Sequence, residues 1–384
     1  MRKILIIGFV AVLSLVLANG FADAKISGVC SNCHTMHNSQ NGTPVAAGGP
    51  YEYLLIGGAT AETACWGCHA QDPAAGALNV ITAIPQVAHN TTDLAGGNFS
   101  YIVGGGAKTP ITGSTETVGH NIKDTSVTDD NFSGGTYPPG DQHSNTMTNA
   151  TFTCAGVNGC HGDRTKTTEY LAIVGAHHYV DNALKFGTIN EANQALSTGT
   201  VGIDVGSSYR FLKGVKGGEE TLWSNTDSDT HNEYKGASSM GVSSATAPVN
   251  ATISGLCAEC HGYFHGTATD ETGGSLTPWK RHPTDIVLNR AAGTEYSAYQ
   301  RRTLAALEYS VEAPIARQTI PNAIGSAVTP ANDIVMCLSC HGVHATAYED
   351  ILRWNYSGMD AGTTGTTAGT GCFVCHTQKD DYAP

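Results

Sequence analysis

Charged residues make up only 14% of this 384-residue chain and aromatic residues only 7%. Such scarcity argues against one large aromatic core and against a surface laced with ion pairs. Glycine instead supplies 46 positions, and stretches such as 96–106 and 362–371 are rich in it. Regular secondary structure should therefore be sparse. Basic residues are also short, with 20 Lys and Arg against 33 Asp and Glu, for a formal charge of −13. That balance disfavours nucleic acid and anionic membrane as partners.

Long apolar runs are lacking as well. The one clear run, Ile4 to Leu17, falls short of the roughly 20 residues needed to span a bilayer. It follows Arg2 and Lys3 and precedes Ala22-Asp23-Ala24, the layout of a cleaved secretory signal over residues 1–24. A membrane anchor is the alternative. Cleavage would start the mature chain at Lys25 with a charge of −14, and no later segment is apolar enough to span. The expected location is secreted, at the cell surface or beyond, by way of the periplasm.

Twelve cysteines in a secreted chain would ordinarily suggest six disulfides, but their spacing rejects this. Five pairs are C-x-x-C followed at once by histidine: Cys30, Cys33 and His34; Cys65, Cys68 and His69; Cys257, Cys260 and His261; Cys337, Cys340 and His341; Cys372, Cys375 and His376. The remaining two stand in Cys154-Ala-Gly-Val-Asn-Gly-Cys160-His161, a C-x5-C-H. Zinc ribbons use C-x-x-C without requiring the next residue to be histidine six times over. Covalent haem attachment does require it: each thiol adds across a porphyrin vinyl group, and the adjacent imidazole is placed under the iron. In the stretched site the extra residues must loop out, for which Asn158-Gly159 offers a turn. A Cys154–Cys160 disulfide is the alternative there, so six c-type haems are expected and five are the fallback.

Histidine occurs at 16 positions, and ten remain after the six proximal ligands: His37, His89, His120, His143, His177, His178, His231, His265, His282 and His344. Supply exceeds the six distal positions to be filled, which favours bis-histidine irons over open ones. His37 and His344 lie three residues after a proximal histidine and His265 four, spacings that point each of them at a neighbouring haem. His120, His282 and the pair His177-His178 sit in turn-forming contexts able to reach over a haem face, with His178 the candidate taken from the pair. His89, His143 and His231 have weaker contexts and read as solvent or haem-edge residues. Met36, Met147, Met240, Met336 and Met359 read as packing residues.

The first cysteines of successive sites are 35, 89, 103, 80 and 35 residues apart, so close pairs stand at both ends. Residues 25–384 give too few residues per haem for separate domains, and the haem discs themselves must supply the apolar centre. The expected fold is one multihaem cytochrome c domain of irregular loops, with short helices and few strands, wrapped around a continuous haem array. Helices are expected at Thr294 to Tyr309 and Ala345 to Trp354.

Five segments together resemble the extracellular hexahaem cytochromes of metal-reducing bacteria, of the outer-membrane cytochrome S type, which polymerise into conductive filaments. They are Gly-Val-Cys-Ser-Asn-Cys-His-Thr-Met-His-Asn at 28–38, Gly-His-Asn-Ile at 119–122, Gly-Gly-Thr-Tyr-Pro at 134–138, Arg-His-Pro at 281–283 and Cys-Leu-Ser-Cys-His at 337–341. The resemblance implies a head-to-tail homopolymer in which His37 ligates a haem of the next subunit, with partner cytochromes and external electron acceptors at its ends. Two departures stand out. Arg164 occupies the place of a ligand three residues after His161, and the stretch between the fifth and sixth sites is short.

Electron transfer through six bis-histidine haems is thus the expected function. A monomeric periplasmic shuttle would carry the same haems. A multihaem reductase would need an open iron with acid or base groups beside it, and the histidine surplus gives no sign of one.

Overall fold

Four of the Cys-x-x-Cys-His motifs begin in single turns. In the computed structural model, Cys30–Asn32, Cys337–Ser339 and Gly371–Val374 are one-turn 3-10 helices, and the fourth motif begins in the five-residue helix Ile253–Cys257. The structure describes residues 29–46, 51–56, 65–66, 69–70, 86–103, 117–123, 138–140, 147–148, 150–174, 209–218, 227–229, 231–238, 248–264, 282–288, 308–321, 327–329, 332–362 and 369–379, with the single residues 49, 299 and 325. The signal-like segment 1–24 lies outside these, as do Cys68, His143, His177, His178 and His265.

Regular elements are few and short among the described residues. Helices α1 (Ser100–Val103), α2 (Glu169–Ala172) and α3 (Ile253–Cys257) span four or five residues each. Helix α3 starts where Thr252 caps it, its hydroxyl accepting from the Gly255 N–H at 2.9 Å. Strands β1 (Ser39–Gln40) and β2 (Thr43–Pro44) form a hairpin across Asn41-Gly42, whose φ of 52° and 80° is the left-handed pair that such a two-residue turn requires. Strands β3 (Gly217–Gly218) and β4 (Glu233–Tyr234) pair antiparallel. Strands β5 (Ile286–Val287), β6 (Ala316–Arg317) and β7 (Asp333–Val335) form a sheet in the order β5-β7-β6. A bridge between Lys235 and Arg317 joins it to β4.

Apolar burial is divided among three small clusters. The first gathers Trp66, Phe99, Ile102, Val118 and Phe152, with Cys65, Cys154 and Cys260 packed against it. The second lies around Tyr209, Tyr234, Ile334, Met336 and Leu338. The third holds Leu288, Tyr299, Tyr309, Ile315 and Trp354, flanked by Cys340, Cys372 and Cys375. Two of the three clusters thus abut cysteines of the Cys-His motifs.

One expected helix is corrected. Residues 345–354 form two bridges, bends and a single 3-10 turn at Glu349–Ile351, inside which Asp350 and Ile351 take φ of 57° and 55°. Left-handed backbone cannot continue an α-helix. Of Thr294 to Tyr309, only Tyr299, Glu308 and Tyr309 are described, so that expectation lies largely outside the described residues.

Candidate functional site

A shared backbone closure defines the attachment turns. The carbonyl of Cys30 accepts from the N–H groups of Cys33 and His34 at 3.1 and 2.9 Å, and Cys257, Cys337 and Cys372 accept in the same way from the second cysteine and the histidine of their own motifs. The stretched motif closes identically, since the Cys154 carbonyl accepts from Cys160 N–H at 3.2 Å and from His161 N–H at 3.0 Å. Its extra residues loop out, with Gly156 at φ 88° and Gly159 N–H donating to the Gly156 carbonyl at 3.0 Å. A side chain at Gly159 would come within 2.7 Å of the Thr153 carbonyl, so only glycine fits there.

None of the described cysteines is in a disulfide, Cys154 and Cys160 included. Burial pushes the thiols of Cys160 and Cys372 up, and that of Cys340 to about 12. A hydrogen bond that the Cys257 thiol donates to Cys337, followed by burial, raises Cys257. The thiols of the fourth and fifth motifs therefore meet.

Four of the histidines that close the motifs are oriented by backbone carbonyls. His34 Nδ1 donates to the Tyr53 carbonyl at 2.9 Å, His161 to Arg210 at 3.0 Å, His341 to Asp350 at 2.8 Å and His261 to Pro139 at 2.6 Å. A carbonyl only accepts, so the proton sits on Nδ1 and the lone pair on Nε2 faces outward, the state a metal ligand needs. Three of the acceptors share one device. Tyr53, Arg210 and Asp350 have φ of 56°, 46° and 57°, and each is followed by a second left-handed residue, Leu54, Phe211 or Ile351. The reversed turn aims the carbonyl at the ring. The next residue then bridges back, Leu55 to His34, Leu212 to Gly162 and Leu352 to His341.

Further histidines approach these rings. Gly119 bridges Ala345, His120 N–H donates to the His344 carbonyl at 3.1 Å, and Thr346 N–H donates to the Val118 carbonyl at 2.9 Å. This pairing needs a bare Gly119, where a side chain would meet Ile102 Cδ1 at 2.2 Å. It sets His120 and His344 on neighbouring strands of chain. The His120 ring lies 6.2 Å from that of His261, and the His344 ring 6.4 Å from that of His161. His282 lies 6.0 Å from His376. Two imidazoles bound to one ion at about 2.0 Å each would stand with ring centres about 6 Å apart. The donor set and spacing at these three pairs would suit an iron held between two histidines.

Burial favours the neutral form of His120, His161, His282 and His344. It lowers His120 and His161 to about 4 and His344 to about 3, against the smaller upward pull of the Val343 carbonyl on His120 and of the Arg210 carbonyl on His161. His282 is lowered by desolvation of its ring, with His376 and His341 adding to the effect. Neutral imidazole is the ligating form.

The remaining described histidines differ. His37 is exposed, and His69 is half-buried. His89 is buried and its Nδ1 accepts from the Thr91 and Thr92 N–H groups at 3.2 and 2.9 Å, which puts its proton on Nε2 and removes the lone pair a ligand would use there. His231 is buried with Nε2 against Glu233 Oε1 at 3.1 Å and its ring stacked 3.4 Å from that of Tyr309. Arg164 pairs with Glu259, so the position read as a missing ligand holds an ion pair instead. Sequence reading missed the left-handed acceptor turns, whose signal is the repeated Tyr-Glu-x-x-Leu at 51–55 and 348–352.

No family model matches the chain. The C-type cytochrome OmcS of Geobacter sulfurreducens is 25% identical over 384 residues, which covers 85% of this chain and 78% of the relative. A cryo-EM structure of OmcS nanowires from that organism superposes with a TM-score of 0.49 at 19% identity, covering 89% of this chain and 87% of that one. A second structure of the OmcS filament gives a TM-score of 0.43 at 19% identity, covering 88% and 85%. Over most of its length, this chain resembles the outer-membrane cytochrome S type of C-type cytochrome.

Proposed function

We propose that the chain is an extracellular electron-transfer cytochrome carrying six covalent haems, and that it assembles with copies of itself into a conducting filament. The reading rests on the sequence motif, present five times exactly and once stretched, together with the turn that four of the exact motifs form and the same backbone closure at Cys154 as at Cys257. The similarity to OmcS supports an electron-transfer role over an enzymatic one. When bound, the haems supply the iron centres that take up and release electrons.

The chain's own residues tether, orient and enclose. Twelve cysteines form the thioethers. His34, His69, His161, His261, His341 and His376 are the proximal ligands, and the Nδ1–H bonds of His34, His161, His261 and His341 hold those rings in one tautomer. His344, His120 and His282 complete the third, fourth and sixth sites, for which the ring separations give support. That leaves His37, His178 and His265 for the other three. Two histidines for every iron would leave no position open to substrate, and the bound group would then supply electron uptake and release alone.

Exposed His37 is assigned to a haem of the next subunit, which would tie the polymer together through iron. Intact mass of the secreted protein should give six haems, and electron microscopy of the concentrated protein should give filaments that a His37→Ala variant does not form. Isolated particles only, from wild-type and variant alike, would reduce the reading to a monomeric shuttle.

A further inference from the structure

Arg164 stands three residues after His161, and Glu259 stands between Cys257 and Cys260. The structure joins them. Arg164 Nε donates to Glu259 Oε2 at 2.6 Å and Nη2 to Oε1 at 2.7 Å, with the side chains 5% and 4% exposed. The same guanidinium donates to the Cys160 carbonyl at 3.4 Å and to the Lys213 carbonyl at 2.8 Å. One side chain therefore grips the third attachment turn, the fourth, and the segment whose Arg210 carbonyl orients His161.

A buried ion pair is weak evidence for stability, because apolar side chains of similar volume often serve as well once both charges are gone. Its planar two-pronged geometry does specify position. We propose that Arg164 and Glu259 are positioning residues for electron transfer, fixing the third and fourth haem centres relative to one another and setting the potential at that joint. The proposal rests on the six-haem reading above. Removing the carboxylate leaves the guanidinium charge uncompensated, and a positive charge favours the reduced state of the centres beside it. Lysine in place of Arg164 keeps the charge and loses the fork.

The test compares the wild-type chain with Glu259→Gln, Arg164→Lys and the double variant Arg164→Met with Glu259→Met, by intact mass and by spectroelectrochemical titration in mildly alkaline buffer. All four should carry six haems. Glu259→Gln should raise the midpoint potentials of two centres and leave four unchanged, and Arg164→Lys should move the same two. The double variant, with no orphaned charge, guards against misfolding and should also move those two. Six haems with lowered melting temperatures and six unmoved potentials would make the pair a structural clamp and overturn the proposal alone. Five haems in the wild type would overturn the underlying reading instead.

Discussion

The carbonyl of Cys154 accepts the N–H of His161 at 3.0 Å across six intervening residues, the bond that Cys257 makes to His261 at 2.8 Å across three. Closure is therefore independent of how much chain is looped out, and the stretched motif presents its thiols and imidazole on the same turn as the exact ones. Replacing both Cys154 and Cys160 by serine should lower the intact mass by one haem relative to wild type. An unchanged mass would mean that this pair carries none.

His344 and His120 face the rings of His161 and His261, whereas His89 has its Nδ1 occupied as an acceptor. His344→Ala and His120→Ala should each convert one haem from low spin to high spin, seen in the electron paramagnetic resonance spectrum. His89→Ala should leave the low-spin signal whole. Loss of low-spin intensity in His89→Ala would reverse the tautomer assignment.

The sequence made the attachment turns legible because thioether chemistry demands fixed spacing between Cys30, Cys33 and His34 and in every motif like it. It left the partners of those turns illegible. The Nδ1 acceptors stand 19, 49 and 9 residues from His34, His161 and His341, so no spacing rule finds them, and only the local Tyr-Glu-x-x-Leu pattern hints at two. Helix propensity misread Ala345 to Trp354 for the same reason. The segment is bent so that Asp350 can present its carbonyl to His341, and that tertiary demand overrides local preference. Arg164 read as the place of an absent ligand because its partner, Glu259, lies in another motif.

Left-handed backbone at Asp350 strains any residue with a Cβ by about 1 kcal/mol. Asp350→Gly should raise stability by about 0.5–1 kcal/mol in thermal or denaturant unfolding while keeping the His341 ligation spectrum. Asp350→Val should lower it by about 1–2 kcal/mol, since a β-branched residue resists positive φ. A gain in stability on Asp350→Val would refute strain as the cause.

Arg317 sits buried between two carboxylates, with Nε donating to Glu233 Oε2 and Nη1 to Asp333 Oδ1, both at 2.9 Å. Burial raises the Asp333 carboxyl above its ordinary value, and the pull of Arg317 only partly opposes this. A group whose folded pKa is raised binds its proton more tightly when folded, so its stabilising contribution is full below the ordinary carboxylate range and fades as pH rises through the folded value. Unfolding of the wild-type chain should accordingly show a loss of stability on that upward path, and Asp333→Asn should flatten it. Arg317→Met should cost about 3–5 kcal/mol, because it leaves both carboxylates buried without their cation. A pH profile unchanged by Asp333→Asn would show that Asp333 titrates alike in the folded and unfolded chain.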